Sequence, residues 1–391
     1  MRNVAITLTS WFQAYKRRAR SLFSEGDLLL LFTVMAMVAF GLLMVYSASF
    51  IYAQERMGDG FGFIEKQLCF ACAGAVLLFF SSQIPYQLWM RLSLPLLIAV
   101  TGLLVLVLVP GAGIKVGGAQ RWLSLGFFAF QPAELFKFSV VVFVAQQLAR
   151  KRERLKEFKL RHFTHFIFLL PPLVLLLMQP DFGSTVISLL SVFLLLFLAG
   201  VPIRFLGGTV LLGAISVVTL ILTSPYRMAR FHTFLNPWED PAGRGFQILQ
   251  SLIGLSNGSL FGVGLGNGKE KLFFLPEAHN DFIFAVIGEE LGFIGVLGVI
   301  LAFVFFIYRG LRAGWLIYQR KGDAFGFYLA AGITLSLGLQ ALINMAVVFG
   351  LLPTKGLALP FISYGGSALM VDLFAVGVLM SVSRGIKRGP S

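Results

Sequence analysis

The chain has 391 residues, of which 57% are hydrophobic and only 13% charged, with a net charge of +14 and a mean hydropathy of +0.84. Soluble domains carry about 25% charged residues, so this composition excludes a water-soluble globular fold. The long uninterrupted apolar runs exclude a transmembrane β-barrel, whose strands alternate over segments of about ten residues. In a membrane protein the basic excess marks loops on the cytoplasmic side, not a nucleic-acid surface.

The pattern predicts an all-α polytopic membrane protein with about ten transmembrane helices. Residues 1–26 form a cytoplasmic N-terminal segment whose basic cluster runs from Lys16 to Arg20. They show no cleavable signal, so the first span reads as a retained anchor. Spans follow at about 28–49, 67–83, 92–110, 134–149, 165–178, 184–200, 206–223, 281–308, 326–350 and 367–383. Residues 27–384 thus make one transmembrane domain, and 385–391 a short cytoplasmic tail. With both termini inside, the inner segments hold 21 of the 32 basic residues, the asymmetry the positive-inside rule requires. Cys69 and Cys72 stand three apart in the second span and supply neither a disulfide framework nor a metal set.

Two outer loops are long. One covers 111–133. The other, 224–280, lies between spans seven and eight, and its glycine-rich run FQILQSLIGLSNGSLFGVGLG is expected to fold back in part as a short helix at the membrane surface. Loops of this size usually carry function. No P-loop is present, which argues against ATP-driven pumping.

The chemistry concentrates where the large loop enters span eight. The run FFLPEAHNDF carries Glu277, His279 and Asp281. Asp281, in the first turn of the span, reads either as an N-terminal cap or as a desolvated general base. Glu277 and His279 either tune it, bind substrate or sit on the loop surface. Glu289 and Glu290 lie roughly 12–13 Å further along the same helix, and with Asp372 and Asn344 they are expected to form a buried polar network, structural or a proton path. Gly292, Gly295 and Gly298 read as a close-packing stripe. In QPAELFKF, Gln131, Glu134 and Lys137 open span four; Glu134 and Lys137 share a helix face. They form either a structural ion pair or the wall of a polar cavity in which Lys137 meets an anion. Arg121, which follows a flexible Gly117–Gly118 pair, and Lys355, Arg227, Arg230 and Arg244 are basic groups on the outer side. That is unusual by charge asymmetry and fits either headgroup attraction or an anionic ligand such as a lipid diphosphate. Asp181, in the turn Pro180–Gly183, is expected to cap span six.

The run YRMARFHTFLNPWEDPAGRGFQILQSLIGLSNGSLFGVGLGNGKEKLFFLPEAHNDFIFAVIGEELGFIG resembles the signature of the shape, elongation, division and sporulation (SEDS) family, as do QPAELFK, QPDFGST and LPTKGLALPFISYGGS. The likeness spans nearly the whole chain, and the last of these motifs, with the PWEDP loop, is closer to the division branch than to the elongation branch. Asn280 departs from the usual Thr, and SLIGLSNGSLFG from the common glycine loop. The resemblance implies a peptidoglycan glycosyltransferase of the bacterial inner membrane, at the division septum, that polymerises lipid II. It implies as partners a class B penicillin-binding protein acting as transpeptidase, other divisome membrane proteins and membrane lipids. It carries the essential loop Asp onto Asp281, the fourth-span pair onto Glu134 and Lys137, and the basic loop residues onto Arg121 and Lys355. The sequence shows no dedicated metal cage and no certain cofactor, and leaves open a Mg2+ or Mn2+ ion held partly by the substrate diphosphate. Two other readings are a lipid II flippase, using Glu289, Glu290 and Asp372, and a non-catalytic divisome scaffold.

Overall fold

The computed structural model describes residues 26–386 except 117–118, 125, 127, 152–159, 224, 242, 244, 277 and 355. Three candidates, Arg244, Glu277 and Lys355, therefore lie outside the described residues, as do Gly117 and Gly118.

Helices occupy every predicted interval: α1 (Leu28–Met57), α2 (Gly62–Gln83), α3 (Gln87–Leu108), α4 (Pro132–Lys151), a 3-10 turn (Leu160–Leu169) leading into α5 (Leu170–Met178), α6 (Phe182–Leu198), α7 (Ile203–Leu222), α10 (Ile283–Lys321), α11 (Ala324–Val348) and α12 (Gly366–Gly385). Their ends follow local chemistry. Asp27, Asp181 and Asp323 each accept a backbone N–H at the start of α1, α6 and α11, as N-cap carboxylates do. Gly58 and Gly322 take left-handed conformations that stop α1 and α10. Among the described residues six helices are long and apolar enough to cross a membrane: α1, α2, α3, α10, α11 and α12.

α4 falls outside that group for a physical reason. It is buried on nearly every side, packed on α3, α6 and α11, so protein and not lipid surrounds its Glu134, Lys137, Ser139, Gln146 and Gln147. With α11 and α12 it forms the centre of the bundle; α12 lies along α2, and α10 along α1 and α11.

The two ends of the bundle are chemically distinct. At one, Arg309 Nε donates to Asp27 Oδ2 at 3.0 Å, Asp27 N donates to Ser383 Oγ, Tyr86 donates to Asp323 at 2.7 Å, and Arg384 donates to Gln83. At the other lie the starts of α4, α6, α10 and α12, and with them Asp281.

Three features depart from the sequence expectation. The loop after α3 holds strands: β1 (Gly113–Val116), β2 (Ala119–Ser124) and β3 (Ala129–Phe130) form an antiparallel sheet, so the fold is not purely helical. Val116 pairs with Ala119, and a Gly-Gly pair between two such runs is a hairpin signal. The large loop holds α8 (Pro225–Leu235), α9 (Phe246–Asn257) and a π-turn (Glu270–Phe274), more helix than expected. Most consequentially, α10 is broken. Gly292 has φ 65° and ψ −162°, a conformation only glycine adopts readily. The broken ladder is completed by the large loop: Val263 N and Gly264 N donate to the carbonyls of Glu289 and Glu290, while Phe293 N and Ile294 N donate to those of Ser259 and Leu260. Non-helical backbone at membrane depth persists only where protein satisfies it in this way. Gly292 is thus a helix break where Leu260 and Gly262 leave no room for a Cβ, while a Cβ at Gly298 would meet nothing within 4 Å, so the three glycines do not form one packing stripe.

Candidate functional site

The half-buried Asp281 stands at the start of α10, where Phe282 holds the N-cap position without a side-chain cap bond. Its surroundings are built by the last loop, between α11 and α12. Asn344 of α11 splits its amide donors between Asp281 O, at 2.8 Å, and Leu357 O, at 2.6 Å. One turn away on α11, Gln340 donates to Ala358 O at 2.9 Å. Ser363 Oγ donates to Asn280 O at 2.7 Å and Tyr364 N to His279 O at 3.0 Å. Gln67 of α2 donates to Ser363 O. Asp281 and the last loop are therefore fastened to one another. A Cβ at Gly356 would stand 3.2 Å from Asp281 Oδ2, so the carboxylate faces bare backbone at the residue following Lys355.

His279 is buried among the rings of Tyr52, Phe63 and Tyr364, with centroids 5.7, 4.6 and 5.6 Å away. Burial raises the pKa of the Tyr364 phenol. His279 is accordingly a packed support for the segment carrying Asp281.

Glu134 and Lys137 form an ion pair at 2.7 Å, both buried, and Lys137 also donates to Gln340 Oε1. Asp372 of α12 joins Glu134, Lys137 and Gln340 around a cavity of about 20 Å³, room for a single water. Asp372 thus sits beside the ion pair. Gln340 links this cluster to the last loop, and through it to the neighbourhood of Asp281.

Arg121 reaches across from β2 to the turn before α6, donating from Nε to Gln179 O at 3.1 Å and from a second nitrogen to Pro180 O. Gln131 Nε2 donates to Asp181 Oδ2 at 3.3 Å, while Asp181 caps α6 through Ser184 N at 3.1 Å, as expected. These residues tie the sheet, α4 and α6 together.

The predicted network joining Glu289, Glu290, Asp372 and Asn344 is not formed. Asn344 serves Asp281, Asp372 faces the Glu134–Lys137 pair, and the two glutamates hold the large loop, in three separate clusters. The sequence reading missed Gln340, Gln67 and Ser363 because amides and hydroxyls on apolar helices carry no motif. Lys271, in the run GKEKLFF, was an overlooked lysine entering an apolar segment. No group of three His, Cys, Asp or Glu side chains able to hold a metal occurs among the described residues.

Fold and site together define a helical membrane protein with a carboxylate clamped between a helix entrance and a loop at one end of its bundle. The family model for FtsW, RodA and SpoVE, described as a cell cycle protein, matches residues 27–388. The chain belongs to this family. It is 46% identical over 367 residues to the probable peptidoglycan glycosyltransferase FtsW of Trichlorobacter lovleyi, with 94% of this chain and 95% of that one covered. It is 40% identical to the stage V sporulation protein E of Bacillus subtilis, covering 92% and 98%. Among solved structures, a peptidoglycan synthase complex described as coordinating polymerization and crosslinking matches with a TM-score of 0.76 at 30% identity, over 93% of this chain and 99% of that one. The rod shape determining protein RodA of Thermus thermophilus matches with a TM-score of 0.68 at 27% identity, over 93% and 98%.

Proposed function

We infer that this chain is a peptidoglycan glycosyltransferase that polymerises lipid II, with Asp281 as the general base. The observation carrying the assignment of the base is the fastening of Asp281 between α10 and the last loop, in a chain of this family. In this reading ten spans bring both termini to the cytoplasmic side and Asp281 to the outer face of the bacterial inner membrane; the charge asymmetry of the sequence supports this orientation, and the bonds of Asp27 and Arg384 at the end of the bundle opposite Asp281 support the two termini lying on one side.

In the reaction the C4 hydroxyl of the acceptor GlcNAc attacks C1 of the donor MurNAc. The bond from C1 to the diphosphate oxygen breaks as the new bond forms, so the α-linked donor yields a β-1,4 linkage by inversion. Asp281 takes the hydroxyl proton, a role that typically contributes about 10²–10⁴-fold. The leaving undecaprenyl diphosphate carries its own charge away and is met by cationic side chains. Lys137 is committed to Glu134 and Gln340, and Arg121 to two carbonyls, so Lys355, adjacent in sequence to Gly356, and Arg244 are the first candidates to hold the diphosphate. Glu134, Gln131 and His279 shape the site. A class B penicillin-binding protein would cross-link the product strands at the septum. The transport reading is weakened because Glu289, Glu290 and Asp372 do not line one path.

The test is polymer formation by the purified chain with its class B partner in detergent, where a flippase or a scaffold makes no glycan. Polymer from the wild type and none above background from Asp281→Asn supports the assignment; equal polymer from both removes it.

A further inference from the structure

The large loop is locked into the break of α10 by side chains as well as backbone. Lys271 Nζ lies 2.6 Å from Glu290 Oε1 and donates to Ser47 Oγ of α1 at 3.1 Å; Ser47 Oγ donates to both Glu290 oxygens, at 2.8 and 2.7 Å. Both members of the ion pair are buried. Beside them Glu289 accepts Lys269 N at 2.7 Å and Glu270 N at 3.2 Å. Such a desolvated pair is retained only where its geometry is complete, and here it does not join two spans. It joins residue 271 to residue 290, and Asp281 lies at the middle of the segment so enclosed. Leu275, Ala278 and His279 inside it are buried, so a displacement at the neck has little slack in which to dissipate before it reaches the carboxylate.

We propose that Lys271, Glu290 and Ser47 form a clasp that positions Asp281, closing the segment 271–290 so that its carboxylate is held facing Gly356. The clasp sets how often the base is in place and leaves substrate affinity alone. Its kinetic part rests on the function inferred above; its geometric part does not. The full-length protein therefore provides two independent readouts. The first is disulfide formation between Asp281→Cys and Gly356→Cys in a Cys69→Ser/Cys72→Ser background, which reports whether the two positions still face one another. The second is lipid II polymerisation with the class B partner in proteins that keep Asp281, which separates kcat from KM.

In Lys271→Met the clasp predicts at least a threefold slower cross-link and a tenfold or larger fall in kcat, with KM within about twofold. The exchanged pair Lys271→Glu/Glu290→Lys recovers most of both. Should Lys271→Met fail to fold, the neutral pair Lys271→Met/Glu290→Gln replaces it, since it leaves no unpaired buried charge, and the same losses are expected. A wild-type cross-linking rate in a folded clasp variant overturns the proposal. A slowed cross-link with undiminished polymerisation upholds the clasp and overturns the role given to Asp281.

Discussion

Asn344→Leu isolates the fastening of Asp281 from the chemistry of its carboxylate. Leucine repeats the branched shape of asparagine with methyl groups in place of the amide oxygen and nitrogen, so the buried site is not emptied. What disappears is a pair of donors: the bonds to Asp281 O and Leu357 O, at 2.8 and 2.6 Å. A buried carbonyl that loses its partner costs about 1–3 kcal/mol, a cost that falls chiefly on the buried Leu357 O. The protein recovers part of this by letting the last loop lift toward water, and that motion carries Gly356 away from Asp281. If about 2 kcal/mol of the loss enters the barrier, kcat falls about thirtyfold; the remainder appears as a lower melting temperature. The assay is the initial rate of lipid II polymerisation over a substrate series, with thermal unfolding of the same preparation in detergent. A variant with unchanged kcat and unchanged melting would show that Asn344 does not hold the loop to the base, and the reasoning about the site would fail with it.

Four further outcomes are expected. Lys137→Met leaves Glu134 buried without its cation and should cost about 3–5 kcal/mol of stability, whereas Glu134→Gln/Lys137→Met should cost clearly less; chemical or thermal unfolding compares them. Arg121→Ala removes two charge-assisted bonds to the turn before α6, worth about 1.5–3 kcal/mol each, and should lower the melting temperature; an unchanged melting curve contradicts the tie. A Cβ at Gly258 would stand 1.9 Å from Gly288 O, so Gly258→Ala should unseat the large loop, read as faster amide exchange at residues 259–264. Burial first, and the Glu289 carboxylate second, push the Glu270 carboxyl up to about 7 from its ordinary 4.5. Its folded state therefore binds the proton more tightly than the unfolded chain does. The contribution is full below about pH 4.5 and is lost as pH rises through about 7. Around Glu270 lie Glu289, the Lys271–Glu290 pair with Ser47, Lys269 and the uncharged Gly254 of α9. Glu270→Gln should flatten the fall in melting temperature between pH 5 and 8; an equally steep fall would rule out Glu270 as its source.

The helical scaffold was legible in the sequence because apolar length alone decides what can lie in a bilayer, and Asp181 announced the start of α6 by local turn chemistry. Asp281 and the Glu134–Lys137 pair were legible because ionisable groups on apolar helices stand out. The hairpin was not readable: Gly117–Gly118 passes equally for a turn or a flexible joint, and the flanking runs hold only Ile114, Val116 and Trp122 as β-branched or aromatic residues. The break in α10 was not readable. In an apolar helix Gly292 reads as a packing residue, and its strained conformation depends on carbonyls and amides supplied by residues 259–264. The same holds for partners chosen by tertiary folding, such as Gln340 for Lys137 or Lys271 for Glu290: the charges are visible, but not which of several will meet. Hence the sequence grouped Glu289, Glu290, Asp372 and Asn344 into one network where the fold makes three.

The most direct test of the account is the single-turnover rate of lipid II coupling at saturating substrate, wild type beside Asp281→Asn, with binding measured in parallel. A general base in this position predicts a loss of about 10²–10⁴-fold in rate with substrate affinity retained. Coupling at the wild-type rate by a folded Asp281→Asn protein would contradict it.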